Sequence, residues 1–586
     1  MPKTVLLLLA ALAAPLALPA PAAAAAAKDD DALLKALVDE LQRSQTNLKG
    51  QGDEPLYYLS YRVSDGRWFM DSASFGAIED YAGGDEATSG RARRLYVAAR
   101  VGSRQLDNTH KVRGSFGWGD RYYERTQLPI EDDPGALQIA LWKETDRAYK
   151  GAAKQLIKVK ANKRVKVEEE DRADDFSEEK PVVSLGKKAA DTFDRKAWKD
   201  KLKKASALFK THPLILNSQV SLQGGSWTHY FVDSEGSRVR EPRFFVRIMI
   251  AATVKSDDGM DLELYDELDA DKPEALPTDA QIEAKVKDVI ARIESLRAAP
   301  VVEPYSGPAI ITNRAAAVFF HEIFGHRIEG HRQKDDDEGH TFTKKVNQRI
   351  VPEFISVVDD PTQKFYGKTP LNGAYQFDDE GVAAQKVSLV EAGVLKSFLM
   401  SRTPIAGFPK SNGHGRAQPG AEPVARQGNL IVQSARQVSY PELRKELIAE
   451  VQKRGKPYGL VFQEISGGFT MTRTGDLPQA FKVLPLVVHR VYADGRPDEL
   501  VRGVDLVGTP LQSLENILST GDDYSVFNGF CGAESGFIPV SAVAPSLLLK
   551  EIEVERRAKG ADRPPLLPPP LSQPAPAAAP VAKEVK

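Results

Sequence analysis

Four of the nine histidines, His321, His326, His331 and His340, fall within 20 residues. An even scatter would place about 0.3 in such a window. The local run is Ala315-Ala316-Ala317-Val318-Phe319-Phe320-His321-Glu322-Ile323-Phe324-Gly325-His326-Arg327-Ile328-Glu329-Gly330-His331. Imidazoles beside a carboxylate can hold a transition metal and move a proton. The alanines and aromatics ahead of His321 predict a buried helix, so the histidines enter a site of low dielectric. His321 and His326 are five residues apart, which on a regular helix is about 140° of rotation. A π-bulge, eased by Gly325, would let both rings meet one ion. A regular helix would instead align Glu322, His326 and Glu329. The cluster is then either a metal site or a polar group buried in a core.

The chain has one cysteine, Cys531, so no intramolecular disulfide is available. It sits in Asn528-Gly529-Phe530-Cys531-Gly532-Ala533-Glu534-Ser535-Gly536, where glycines on both sides predict a tight turn. A lone thiol can be a small buried hydrophobe, but as a thiolate ligand it is also protected from oxidation. His, His and thiolate plus one water make a four-coordinate catalytic Zn²⁺ site, one ion per chain. Glu322, next to a ligand, can take the proton from that water. The alternative is a non-catalytic peptide-binding or chaperone-like protein. Its structural metal site would fill the fourth position with His331 or Glu329.

These residues need elements to position them. Asp31 predicts the cap of a helix whose Leu33, Leu34, Leu37, Val38 and Leu41 share one face. Leu56 to Val63 and Arg93 to Val101 alternate as strands, and a helix is predicted from Gly135 past Tyr149. Blocks at 158–204 are basic, then acidic, then Lys-rich, and read as a solvated insertion. Strands return from Leu216 to Tyr265, with turns predicted at Gly224-Gly225 and Asp257-Asp258-Gly259. Gln281 to Ala298 reads as a helix, and a second strand-rich region follows. Asp335-Asp336-Asp337-Glu338 reads as a solvated acidic loop. The fold class is α+β. An N-terminal α/β domain (28–299) precedes a strand-rich, predominantly antiparallel C-terminal domain (300–557) that carries the metal-site helix. A Pro/Ala-rich tail (558–586) is expected to be disordered.

Residues 1–27 read as a signal peptide. Lys3 precedes an apolar run from Val5 to Leu18, and Ala22 to Ala27 close it. The run is about 14 residues, short of the ~20 that span a bilayer as a helix. The expectation is export to a periplasmic or secreted location, with no stable membrane span after cleavage. Across the whole chain 79 basic and 81 acidic residues nearly cancel, so global charge gives no reason to expect a nucleic-acid partner.

The segment from His321 to Gly330 resembles the His-Glu-x-x-Gly-His-x-x-Glu-Gly motif of the TldD/PmbA family of metallopeptidases. Further matches follow in family order. They are Val358-Asp359-Asp360-Pro361, Phe377-Asp378-Asp379-Glu380-Gly381 and Leu389-Val390-Glu391-Ala392-Gly393, then Ser466-Gly467-Gly468, Asp505-Leu506-Val507-Gly508-Thr509 and Phe530-Cys531-Gly532. The resemblance covers about 300–557. It implies His321, His326 and Cys531 as zinc ligands and Glu322 as catalytic base. It also implies a homodimer, or a heterodimer with a paralogous subunit, whose channel admits peptides or unfolded polypeptide. Arg416, in Ser411-Asn412-Gly413-His414-Gly415-Arg416, is a candidate for substrate contact.

Overall fold

The computed structural model describes residues 31–51, 54–79, 90–112, 126–163, 171–190, 194–334, 338, 340–472 and 480–557, with a few beyond. The expected signal peptide, Asp335–Asp337 and nearly all of the Pro/Ala tail lie outside the described residues. Among those described, no helix is long and apolar enough to cross a membrane.

The first part of the chain is a twisted sheet of eight strands. Its long members are β1 (Leu56–Ser74), β2 (Arg91–Val101), β3 (Ile215–Asp233), β4 (Arg238–Lys255) and β5 (Asp261–Ala270), in the order β2-β1-β3-β4-β5 and all antiparallel. Alternation along each strand sends successive side chains to opposite faces. Leu59, Tyr61, Val63, Phe69 and Ala73 of β1 point to one face, where helices cover them. Those helices are α1 (Ala32–Leu48), α2 (Pro134–Lys163), α3 (Arg195–Ser206) and α4 (Asp279–Ala298). Asp31 caps α1 as predicted, accepting from the Leu34 amide. The other face carries Arg62, Trp227, His229 and Arg243 and meets the second half of the chain.

Two expectations change here. Gly224-Gly225 is not a turn but the middle of β3. A Cβ at either position would collide with the backbone of the neighbouring strand, so the glycines permit close strand approach. The charged blocks are not a solvated insertion either. The Lys-rich block contains α3, capped by Asp194, which buries Trp198, Leu202 and Ala205 against the sheet. In the acidic block, Phe176 is buried between the guanidinium groups of Arg100 and Arg402, 3.8 and 3.9 Å from its centroid. Charge dominated the composition, but a few apolar residues at the right spacing decided the packing.

The second part holds two further sheets around the largest apolar core. One has eight strands and includes β6 (Tyr305–Ile311), β9 (Tyr458–Thr470) and β10 (Phe481–Tyr492). The other has six and includes β7 (Ile355–Asp359), β8 (Asn429–Ser434), β11 (Ser525–Ala533) and β12 (Gly536–Ala544). Most pairings are antiparallel, and β8 with β12 is parallel. Helix α5 (Asn313–Ile323) packs against β9 and against the β11–β12 hairpin, with Ala315 to Phe320 wholly buried. That is the buried helix predicted ahead of His321.

Candidate metal centre

Neither predicted helical geometry is the one observed. Helix α5 ends at Ile323, and Gly325–Ile328 forms a single 3₁₀ turn. The tighter turn re-aims His326 without a π-bulge, and its ring meets that of His321 edge-on at 5.0 Å. Gly325 is needed for space: a Cβ there would overlap the side-chain amide of Gln427. Cys531 comes from a strand and not from a glycine turn. It lies on β11, the edge of the six-stranded sheet, paired with Ile538 of β12. The flanking Gly529 and Gly532 make room for the rings of Phe527 and Phe537.

The fold brings the three expected ligands together. One donor atom from each of His321, His326 and Cys531 lies within 4.8 Å of the others, and all three residues are buried. Cys531 Sγ is 3.3 Å from His326 Nε2. Burial alone would push the Cys531 thiol up, but the charges of His326 and Arg426 hold it well below its ordinary value. Burial likewise opposes protonation of His326, yet Cys531 and Glu329 hold its pKa well above the ordinary one. A site that stabilises a thiolate is prepared for a soft cation. His321 Nδ1 is buried with no hydrogen-bond partner among the described residues. Two imidazoles and a thiolate with unmet polar capacity fit Zn²⁺, with room in the ligand count for one more.

Glu322 follows His321 on the last turn of α5 and lies against Gly468 of β9, where a Cβ would come within 2.9 Å of its Cγ. This contact accounts for a glycine in Ser466-Gly467-Gly468. Of the alternative fourth ligands, Glu329 is engaged elsewhere and His331 lies apart from the cluster. Fully buried Glu329 accepts from Arg332 Nε at 2.8 Å and lies 3.5 Å from His326 Nδ1. Burial would raise its pKa, but Arg332 and then His326 bring it down to about 2. Glu329 therefore orients the far nitrogen of His326. His331, in the next 3₁₀ turn, has Nε2 3.8 Å from Glu534 and stands outside the three-residue cluster.

Several residues that shape the centre carried no local sequence signal. Arg426 donates to the Cys531 carbonyl at 2.7 Å, and its Nε lies 3.4 Å from Glu329. Arg332 pairs with Glu329, Glu534 and Glu338. Glu338 is thus buried, not part of a solvated acidic loop. Gln427 has both amide atoms buried and unpaired beside Gly325. Asp359 accepts from the amides of Gly428 and Asn429, which fixes the loop that carries Gln427. Arg416 is committed to the carbonyls of Gln427 and Pro539, so it braces the hairpin.

Residues 304–556 match the PmbA/TldA metallopeptidase C-terminal domain. A metalloprotease of Archaeoglobus fulgidus is 32% identical over 242 residues, 41% of this chain and 51% of that protein. A zinc metalloprotease TldD homologue of Saccharolobus solfataricus is 24% identical over 254 residues, 42% of this chain and 51% of its own. The chain thus spans about half the length of these curated relatives. The crystal structure of TldE from Thermococcus kodakarensis superposes with a TM-score of 0.56 at 13% identity, covering 89% of this chain and all of that one. At that identity the likeness concerns the fold. The motif order and the matched model agree for one region: residues 304–556 are a PmbA/TldA-type metallopeptidase C-terminal domain.

Proposed function

We propose that this protein is a zinc-dependent metallopeptidase acting on peptides or unfolded polypeptides. The observation that carries the reading is the convergence of His321, His326 and Cys531 within 4.8 Å, with Glu322 adjoining a ligand. Zinc bound there would supply Lewis acidity toward a scissile carbonyl and acidify a water. His321 and Cys531 would hold the ion from two different elements, and His326 would do so with its ring oriented by Glu329. Glu322 receives the proton from the attacking water and returns it to the leaving amine, which keeps the proton balance. The walls of α5 and β11 exclude bulk water, which strengthens each of these electrostatic interactions.

Glu322→Gln tests the reading. The variant should keep about one zinc per chain and lose ~10²–10⁴-fold in peptide turnover. Parent-like turnover would remove Glu322 from the base role. A metal site filled by a fourth protein ligand, with no turnover in either form, would favour the binding-protein alternative. A two-chain assembly, a homodimer or a pairing with a paralogous subunit, belongs to the same reading through the family resemblance, and light scattering on the purified protein checks it. Export is part of the same reading, supported by the apolar run after Lys3. N-terminal sequencing that finds Met1 on the mature protein would end it.

A further inference from the structure

The β11–β12 hairpin has two working faces. Cys531, Ile538 and Val540 share the face toward the metal centre. The opposite face meets the uncovered side of the N-terminal sheet, where Phe530 packs edge-on against Phe245 at 5.3 Å. There Phe537, Pro539 and the loop at 416–420 close a cavity of about 70 Å³ against β1, β2, β3 and β4. Four guanidinium groups line it: Arg62, Arg94, Arg243 and Arg416. Asp379 is the one carboxylate lining it among the described residues.

The four cations differ in commitment. Arg416 is spent on two backbone carbonyls. Arg62 donates one nitrogen to the Gln418 and Ala421 carbonyls, while its Nη1, 3.4 Å from Asp379, is buried without a hydrogen bond. Arg243 has only Glu241, at 3.7 Å. Arg94, half-buried, has no ion-pair partner among the described residues. His229 adds no charge, because burial pushes its pKa down to about 3 despite Asp379, and its Nε2, 3.4 Å from Asp379, makes no hydrogen bond. Four partly desolvated guanidinium groups around two carboxylates, Asp379 and Glu241, leave an excess of positive charge that a further anion would offset. Trp227 and the 67% exposed Phe537 supply apolar walls beside the charges.

We infer that this cavity binds a carboxylate of the polypeptide substrate, held by Arg94 and Arg243 with Nη1 of Arg62, which makes no hydrogen bond, behind them. A guanidinium fork matches a carboxylate in a bidentate way, and the aromatic walls suit the stem that bears it. The group is either the C-terminal carboxylate or an acidic side chain. The pocket sits on the far face of the hairpin from Cys531, so it anchors the substrate at a distance from the bond cut. The choice of a polypeptide ligand rests on the peptidase reading.

Binding without turnover tests it. One fluorescent peptide is made in three forms: neutral with an amidated C-terminus, neutral with a free C-terminus, and amidated with one glutamate. Anisotropy is read on zinc-loaded Glu322→Gln protein. One or both acidic forms should bind roughly tenfold tighter than the neutral amide, and which one does names the source of the carboxylate. Arg94→Ala with Arg243→Ala should erase that advantage while zinc content and circular dichroism match the parent; Arg94→Lys with Arg243→Lys should keep part of it. Equal binding of all three forms, or an advantage that survives the alanine pair, overturns the pocket. Failure of the unaltered enzyme to cleave any peptide would sink the peptidase reading and leave this binding test in force.

Discussion

The metal centre and the acidic segment at 171–179 both bury charge, and they do so in opposite ways. In the acidic segment most polar groups find a protein partner. Asp175 Oδ1 meets His110 Nδ1 at 2.7 Å and Lys334 Nζ at 3.2 Å, and its Oδ2 accepts from the Asp107 amide. The Ser177 carbonyl accepts from Arg104 and Arg402. At the metal centre, His321 Nδ1, Glu329 Oε1 and both amide atoms of Gln427 are buried without a hydrogen bond. A buried polar group left unpaired costs about 1–3 kcal/mol, so a cluster of them needs a cause outside the chain. In the acidic segment the charge is largely met within the fold, and at the metal centre the ligand atoms keep capacity that a bound ion would meet.

The sharpest way to break this contrast is to remove the thiolate. Cys531→Ser replaces a soft ligand with a poor one at a position whose backbone is fixed by strand pairing. Zinc should fall from about one per chain to near none after dialysis, with loss of peptidase activity. Elemental analysis decides it. A serine variant that keeps its zinc would reduce Cys531 to a small buried residue.

The acidic segment should answer in the other currency. Phe176→Ala removes a ring that is 2% exposed and lies between two guanidinium groups. Unfolding stability should drop by about 3–5 kcal/mol in chemical denaturation, the range for large aromatic truncations. Zinc stoichiometry should stay at the parental value. A variant of normal stability would return the segment to the solvated insertion that its composition suggests.

Composition misled at Phe176 because a run of carboxylates conceals one anchoring aromatic, and nothing nearby in sequence names its arginine partners, 76 and 226 positions away by the residue numbers Arg100, Phe176 and Arg402. Local patterns did better where the partners are also local. The α1 cap at Asp31 and the apolar stretch of α5 were legible because capping and burial depend on a few neighbours. The ligand types at the metal site were legible too, but their geometry was not. A helix that ends at Ile323, one residue short of the turn at Gly325, cannot be told from one that bulges by counting positions. The residues that tune the site, Arg426, Gln427 and Glu534, arrive from remote strands and loops, so only the fold reveals them. The arginine pocket was illegible for the same reason, since its charges come from strands of the first sheet and a loop of the second half.

The smallest expected effect is also the most discriminating, because it separates two residues that sequence spacing treats alike. Glu329 and His331 lie three and five positions past His326, and either could be a fourth ligand on spacing. In the structure Glu329 touches the nitrogen of His326 that faces away from Cys531, and it is anchored by Arg332. Glu329→Gln removes the charge that fixes that ring, so zinc affinity should fall about 10–100-fold, the range for such supporting groups. His331 is also buried, but burial pushes its pKa below the ordinary value against the opposing pull of Glu534, so it stays neutral. It gives the metal no ligand and His326 no orientation. His331→Ala should therefore leave zinc affinity within about twofold of the parent in a chelator competition, and it should cost only the packing of one buried ring. If His331→Ala empties the site while Glu329→Gln does not, the fourth ligand is His331, the centre is closed, and the structural-metal reading replaces the catalytic one.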